Sequence, residues 1–433
     1  MQGKAGTGKS ALIRSICHLL DSHYGPGSRV YEVLAPTGAA AINVDGMTIH
    51  SCLKIPTTGR MLDLNGEVLR SFQLRFKDIK FLIVDEYSMI GLRLLHKIHQ
   101  RLAEAKGNTN EEFGGFFIYF FGDIRQLPPV KDTAIYMQPS DDNSYMGARL
   151  VQSIQKKVIL ETCFRQSDDQ ANFRNILDSI ATGAVNQNGW NQLMQRRMSI
   201  RADERDSFSN AVRLYPTTEQ VRDYNNDVLA RNQSPVALIE ASHNNATAMQ
   251  GSDLQAQNLS RTLYLSENCR VMLRRNLCVQ KGLVNGSLGV VRNIVYLPGM
   301  RPPALPALLL VEFDKYQGPF IRDRSFPVLP VTSRWKEHST DCSRKQFPLN
   351  PAYALTIHKA QGLTLDKAIV DIGAKEAAPG MTYVASSRVR RINDLILSRS
   401  FDFSRLAMIG RMKHVIEREK FMANLVQDAE QRE

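Results

Sequence analysis

No stretch of this chain approaches 18 consecutive apolar residues, so no membrane-crossing helix is expected. The first twenty residues hold a glycine-rich loop, not the charged, apolar and small-residue order of a secretory signal. Cysteine is sparse. The six (Cys17, Cys52, Cys163, Cys269, Cys278, Cys342) include no C-x-x-C and no paired metal-ligand spacing. That pattern argues against a zinc site and predicts the reduced thiols of an intracellular protein. No repeat of short period and no low-complexity tract interrupts the chain.

The 433 residues exceed one typical core, and 43% hydrophobic content is enough to bury two or three. The net charge is +12, with a pI of about 9.4. Residues 1–150 carry only +2, and the rest carries +10. Basicity concentrated in one part suits a polyanionic partner such as nucleic acid, although a solvated surface with excess lysine and arginine would look the same.

The first third alternates helical and strand patterns. "SALIRSICHLL" places Leu12, Ile16, Leu19 and Leu20 on one helical face, and "RVYEVLAPT" is a short apolar strand. "KFLIVDE" and "FFIYFFGD" are unbroken apolar runs ending in acids, as central strands of a parallel sheet do. Between them "MIGLRLLHKIHQRLAEAKG" predicts an amphipathic helix closed by Gly107. The class is α/β, doubly wound. A second set of elements follows residue 166, from "ANFRNILDSIATG" to the strands "AIVDIG" and "DLILSRS". Residues 281–349 break the rhythm with glycine, proline and short strands, which predicts a small β-barrel inserted in the second α/β domain.

Gly3-Lys4-Ala5-Gly6-Thr7-Gly8-Lys9-Ser10 fits G-x-x-x-x-G-K-[ST] and runs straight into a helical pattern. Its glycines let backbone amides turn toward phosphate oxygens, and the helix N-terminus adds a positive dipole end. Lys9 would reach the β- and γ-phosphates, and Ser10 would ligate Mg²⁺. In "FLIVDEYSM", Asp85 at a strand end can hold the magnesium-bound water, and Glu86 can polarise an attacking water. In "FFGDIRQLPPV", Gln126 could sense a γ-phosphate or could bond within its own loop; physics alone leaves these level. Only Met1 and Gln2 precede the loop, which normally follows a buried strand. An incomplete first sheet is therefore expected.

"APTGAAAINVDGMTIHS", "VDEYSM", "FGDIRQLPPV", "TCFRQ", "LVNGSLGVV", "ALTIHKAQGLTLDKAIVDIG" and "YVASSRVRRINDL" occur in the order found in Pif-type DNA helicases. The chain resembles this group, in the 5′-to-3′ branch of helicase superfamily one, from Gly3 to about residue 400; Helitron-type transposon helicases share the pattern. The resemblance implies two RecA-like domains, over 1–166 and over 167–280 with 350–433, the β-barrel at 281–349 and a wedge element at 51–77. It makes Gln126 a γ-phosphate sensor and Arg165 and Arg388 arginine fingers, and it puts Gln361 and Gly362 beside Gly3, Ala5, Gly6, Thr7, Gly8, Lys9 and Ser10 at the nucleotide.

Thr37, Gly38 and Asn43 follow the carboxyl end of a strand, where ligands bind in open α/β sheets, with Thr48 and His50 soon after. Polar groups and amides at Asn285, Ser287, Thr356, His358 and Lys359 complete a set that can hold phosphates without reading bases. The resemblance assigns all of these to single-stranded DNA. It implies an ATP- and Mg²⁺-dependent helicase that steps 5′ to 3′ on single strands and unwinds duplex DNA. It also implies a monomer on DNA, without a membrane partner, serving repair, recombination or telomere maintenance in the nucleus or mitochondrion of a eukaryote. A P-loop kinase or GTPase would leave Arg165 and Arg388 idle. A weakened DNA-binding relative or transposon-derived fragment is the alternative. Ser386 stands where the family usually has leucine and Tyr87 where a smaller aliphatic residue is usual. Relatives carry an adenine-recognising glutamine segment before the loop, so weakened adenine selectivity is expected.

Overall fold

A computed structural model describes residues 1–430 apart from 26, 58, 200–203, 205, 210, 254, 279, 280, 315, 322, 323, 338 and 339. The chain divides into two compact units, Met1–Ala211 with Ala360–Glu433, and Val212–Lys359.

The first unit opens with β1 (Gln2–Gly3), the phosphate loop and α1 (Lys9–Tyr24). It continues through β2 (Tyr31–Ala35), α2 (Gly38–Asn43), β3 (Met47–Thr48), α3 (Ile49–Cys52), α4 (Gly66–Phe76) and β4 (Phe81–Val84). Then come α5 (Leu92–Lys106), β5 (Phe117–Phe120), α6 (Asp142–Gln152), β6 (Ile159–Leu160), α7 (Ala171–Thr182) and α8 (Gln187–Met194). The apolar runs form a parallel sheet in the order β3-β2-β4-β5. Gly107 closes α5 in the left-handed conformation, where a glycine has no Cβ to clash.

The expectation of a loop without its strand is corrected. Gln2 and Gly3 pair in parallel with Ile159 and Leu160 of β6, and Gln2 also bridges Gly122 just beyond β5. The Gly3 amide donates to the Gly122 carbonyl at 3.0 Å, and the Gln2 amide to Val158 at 2.8 Å. The loop is thus preceded by a short strand that bonds β6 on one side and the segment just past β5 on the other. The predicted face of α1 is shifted as well. Ile13 is fully buried with Leu12, Ile16 and Cys17 partly so, whereas Leu19 is 67% exposed. The stripe follows Lys9, Ile13 and Ile16, spaced as i, i+4 and i+7. Helix α4, within 51–77, buries Phe72 and Phe76 in the same core as Leu82, Leu95 and Leu102.

The second unit runs through β7 (Val212–Tyr215), α9 (Thr218–Ala230), β8 (Val236–Glu240), β9 (Ser242–His243) and α10 (Ala246–Gln250). Next are β10 (Thr262–Ser266), β11 (Arg270–Leu273), β12 (Leu288–Val295), β13 (Leu308–Phe313) and β14 (Phe326–Val328). It closes with β15 (Val331–Glu337), β16 (Thr340–Gln346), β17 (Leu349–Pro351), β18 (Ala354–Thr356) and α11 (Ile357–Ala360). Strands β14-β13-β12-β11-β17 form an antiparallel sheet, and β15-β16-β9 form another. The irregular stretch thus pairs with β9 and β11, which precede residue 281, around a core that includes Val271, Val291, Val311 and Phe347. Strand β7 runs parallel to β18.

The first unit resumes with β19 (Ala368–Val370), α12 (Met381–Ser386), β20 (Leu395–Leu397), α13 (Phe403–Ala407) and α14 (Lys413–Glu430). Strands β19 and β20 are parallel. Helix α14 buries Met422 in the core of the parallel sheet, with Phe421 and Leu425 packed against it. Its Arg418 is fully buried and donates to the carbonyls of Ala181 and Arg125.

Helices α5 and α6 meet at Gly147, where an added Cβ would lie 2.0 Å from the Leu92 carbonyl oxygen. The backbone there has to move, so Gly147→Ala should cost about 1–3 kcal/mol by overpacking. Chemical denaturation checks it: an unchanged midpoint would mean that the helix pair yields freely.

Candidate functional site

The phosphate loop is held from below by β1 and from the side by residues 163–165. Gly6 and Gly8 have φ of 89° and 79°, a region that favours glycine. The Gly6 carbonyl accepts the Phe164 amide at 2.8 Å, and a Cβ on Gly6 would meet Arg165 Cβ at 2.4 Å. Lys9, the start of α1, is buried and curls its ammonium onto the carbonyls of Gly3 (2.7 Å) and Lys4 (2.8 Å). These are loop oxygens, so the ammonium already lies within the curve of the loop.

Strand β4 delivers Asp85 and Glu86, both buried. Asp85 Oδ1 accepts the Glu86 amide at 2.9 Å. Glu86 has φ 53° and ψ 45°, a left-handed conformation uncommon for a residue with a side chain. Its Oε2 is buried without a partner. Burial, then the neighbouring Glu86 charge, pushes the Asp85 carboxyl up to about 7, against opposing pulls from the Glu86 amide and Lys9. A carboxyl in that state is short of positive charge.

Arg165 and Arg388 come from distant sequence to the same place. Arg165 donates to the Ser387 carbonyl at 3.1 Å. Arg388 is 1% exposed and bonds the carbonyls of Val384 and Leu363 and the Ser387 hydroxyl. Burial, and then the like charge of Arg165, holds Arg388 down to about 10, and burial lowers Arg165 too. Both pulls would ease beside an anion. One cavity of about 370 Å³ is lined by Gly6, Lys9, Ser10, Asp85, Glu86, Gln126, Arg165 and Arg388. Ala5, Thr7, Gly8, Asn43 and Gly362 line it as well. Gly3 sits beneath, with its amide on β5's end. Gln361 is buried, and neither its amide nitrogen nor its oxygen has a partner.

The residues expected on DNA are placed less uniformly. Asn43 donates to the Gly362 carbonyl at 3.3 Å and so borders the cavity at the phosphate loop. Thr37 Oγ accepts the Ala40 amide at the start of α2, which opens at Gly38, and Thr48 caps α3 through the Ser51 amide. His50 is half-buried, its pKa lowered by burial and then by Lys97. In the second unit Ser287 is engaged with Gly282 and Val284, while Asn285 is exposed. Thr356 accepts the Lys359 amide, and burial lowers the pKa of half-buried His358. Thr356 and Lys359 share a groove of about 570 Å³ with Arg222, Arg261 and Arg274.

Gln2, Asp123, Phe164 and Tyr383 join the site without having been expected there from the sequence. Phe164 stands 74% exposed on the cavity rim beside Gly8. Tyr87, noted only as an oversized residue, donates to Gln2 Oε1 at 2.5 Å. Asp123 had a usable signal, since it ends an apolar strand just as Asp85 does.

The family described as PIF1-like helicase matches residues 1–190. An ATP-dependent DNA helicase PIF1 of Danio rerio is 32% identical over 93% of the chain. Over those 190 residues the chain is similar to the PIF1-like helicases. It spans 58% of that relative's length, against 83% of a Bdellovibrio bacteriovorus relative that is 28% identical over 92% of the chain. A crystal structure of the Pif1 helicase from Candida albicans is 26% identical, with a TM-score of 0.77 over 98% of this chain and 94% of that one. The Bacteroides Pif1 solved bound to ssDNA is 25% identical, with a TM-score of 0.68 over 94% and 89%. The α/β elements are those of RecA-like P-loop domains.

The Asp85 shift has a signed consequence. The unfolded chain ionises this group near 3.8 and the folded chain near 7, so stability falls as pH rises through that window. Asp85→Asn should therefore raise the unfolding temperature at pH 8 and give no gain at pH 4, without nucleotide or divalent cation. Calorimetry at both pH values checks this.

Proposed function

We propose that this chain is an ATP-driven DNA helicase motor that steps 5′ to 3′ along a single strand and unwinds duplex DNA. The observation that carries it is the convergence of Lys9, Asp85, Glu86, Gln126, Arg165 and Arg388 on one cavity at the phosphate loop. The likeness to PIF1 helicases supports the polarity, the DNA substrate and service in repair, recombination or telomere maintenance. It likewise supports two RecA-like domains over 1–166 and over 167–280 with 350–433. The antiparallel strands β12 to β16 are offered as the β-barrel at 281–349, residues 51–77 as the wedge, and the working form as a monomer on DNA.

The residues fit ATP and Mg²⁺. The shortage of positive charge around Asp85, with Ser10 on the same cavity, suits a divalent ion. Asp85 and Ser10 would hold the ion, which would neutralise phosphate charge and polarise the reacting phosphoryl group. Lys9 exchanges its two loop carbonyls for phosphate oxygens. Glu86, with Oε2 free, accepts a proton from water as its oxygen attacks the γ-phosphorus and the bond to ADP breaks. Arg165 and Arg388 supply positive charge to the oxygens of the transferring group. In the second unit, the basic groove holding Thr356 and Lys359 would take DNA phosphates.

DNA-stimulated ATP hydrolysis tests the reading. Lys9→Ala should abolish turnover, and Arg165→Ala or Arg388→Ala should lower kcat about a thousandfold. Turnover that survives Lys9→Ala would sink the motor. Strand displacement should need a 5′ tail, and Lys359→Ala should weaken single-strand binding most at low salt. Binding without turnover would favour the weakened DNA-binding relative.

A further inference from the structure

Asp123, just past β5, is completely buried, and four donors converge on its carboxylate. Oδ1 accepts from Gln2 Nε2 at 3.3 Å and from the Arg125 amide at 3.1 Å. Oδ2 accepts from Gln126 Nε2 at 3.3 Å and from the Tyr383 hydroxyl at 3.0 Å. Four donors and no acceptor are the surroundings of an ionised carboxylate, which can only accept. The Gln126 amide therefore has one permitted orientation. Its NH₂ must face Asp123, since the flipped amide would set two acceptors against each other. The carbonyl Oε1 is left buried and without a partner, on a residue that lines the cavity with Glu86.

Tyr383 is what completes this arrangement. Its hydroxyl has one proton, given to Asp123, and its oxygen accepts the phosphate-loop Ala5 amide at 3.2 Å. The bonds run in one direction, from Ala5 through Tyr383 to Asp123, with Gln126 joining from the other side. Tyr383 also lies on α12, the helix that leads to Arg388. That helix begins against the sensor loop, for a Cβ on Gly380 would meet the carbonyl oxygens of Arg125 and Gln126 at 2.7 and 2.8 Å. Phosphate loop, sensor and finger helix are thus tied at one phenol.

We infer that Tyr383 is a positioning residue. Through Asp123 it fixes Gln126 with its amide carbonyl toward the cavity, where that oxygen accepts one hydrogen of the attacking water while Glu86 accepts the other. This rests on the motor reading above. A residue acting this way influences turnover rather than nucleotide affinity. If Tyr383 served only to brace the loop at Ala5, its loss would instead weaken ATP binding.

The test is Tyr383→Phe in the full chain, which keeps the ring and removes one oxygen. DNA-stimulated kcat should fall about tenfold, as expected for losing a hydrogen bond to a charged group, with KM for ATP within about twofold. In a Gln126→Ala background the same change should have no further effect on kcat, because the residue it positions is gone. Asp123→Asn should also lower kcat, since an amide can donate as well as accept and no longer dictates which way Gln126 turns. A thermal midpoint near the parent's shows that Tyr383→Phe is folded. Full kcat in Tyr383→Phe, a raised KM with kcat intact, or an equal loss in both backgrounds would overturn the inference while leaving the motor reading in place. Parent turnover insensitive to Lys9→Ala would overturn both.

Discussion

A glycine-rich loop cannot hold its own shape, and the site depends on the bonds that hold it. Gly3, Gly6 and Gly8 have no side chains to pack, and Gly6 and Gly8 occupy backbone conformations that most residues avoid. Three outside attachments make the loop definite. The Gly3 amide is fixed to Gly122 at the end of the parallel sheet, the Gly6 carbonyl to the Phe164 amide, and the Ala5 amide to the Tyr383 hydroxyl. Each attachment comes from a segment that also carries a catalytic candidate: Gln126 after Gly122, Arg165 after Phe164, Arg388 after Tyr383. The loop's shape and the site's composition are consequences of the same contacts.

Charge is the second constraint. Buried Lys9 and Arg388 and half-buried Arg165 line one cavity with Asp85 and Glu86, and desolvation disfavours the charges of Asp85, Arg165 and Arg388. Burial first, and then a like-charged neighbour, pushes Asp85 up to about 7 and Arg388 down to about 10. A magnesium nucleotide would bring a cation to the carboxylates and phosphate oxygens to the arginines. Glu86 Oε2 and Gln126 Oε1, on two residues that line this cavity, are buried without a hydrogen-bond partner. Polar groups are buried here at a cost that folding alone does not recover.

The departures from the family pattern turn out unevenly. Tyr87 replaces a smaller residue, yet its hydroxyl bonds Gln2, whose amide in turn bonds Asp123. The larger side chain thereby joins the buried network behind the sensor. Ser386 is buried on α12 directly before Ser387, whose hydroxyl accepts from Arg388.

Local sequence is enough to name the candidate reacting groups and the strands that present them. Lys9, Ser10, Asp85 and Glu86 are legible because local chemistry requires them at a loop and at a strand end. The runs "KFLIVDE" and "FFIYFFGD" announce parallel strands because both faces are buried. Arg165 and Arg388 were legible only through resemblance, since nothing local distinguishes a finger from a surface arginine. What the tertiary structure alone decided is which distant groups meet. It placed two residues of β1 between β5 and β6, brought Asn43 to Gly362, and joined Ala5, Asp123 and Tyr383 through one hydroxyl. The reason is that a hydrogen bond depends on distance in space, and Ala5 and the Tyr383 hydroxyl that it bonds lie 378 positions apart in sequence.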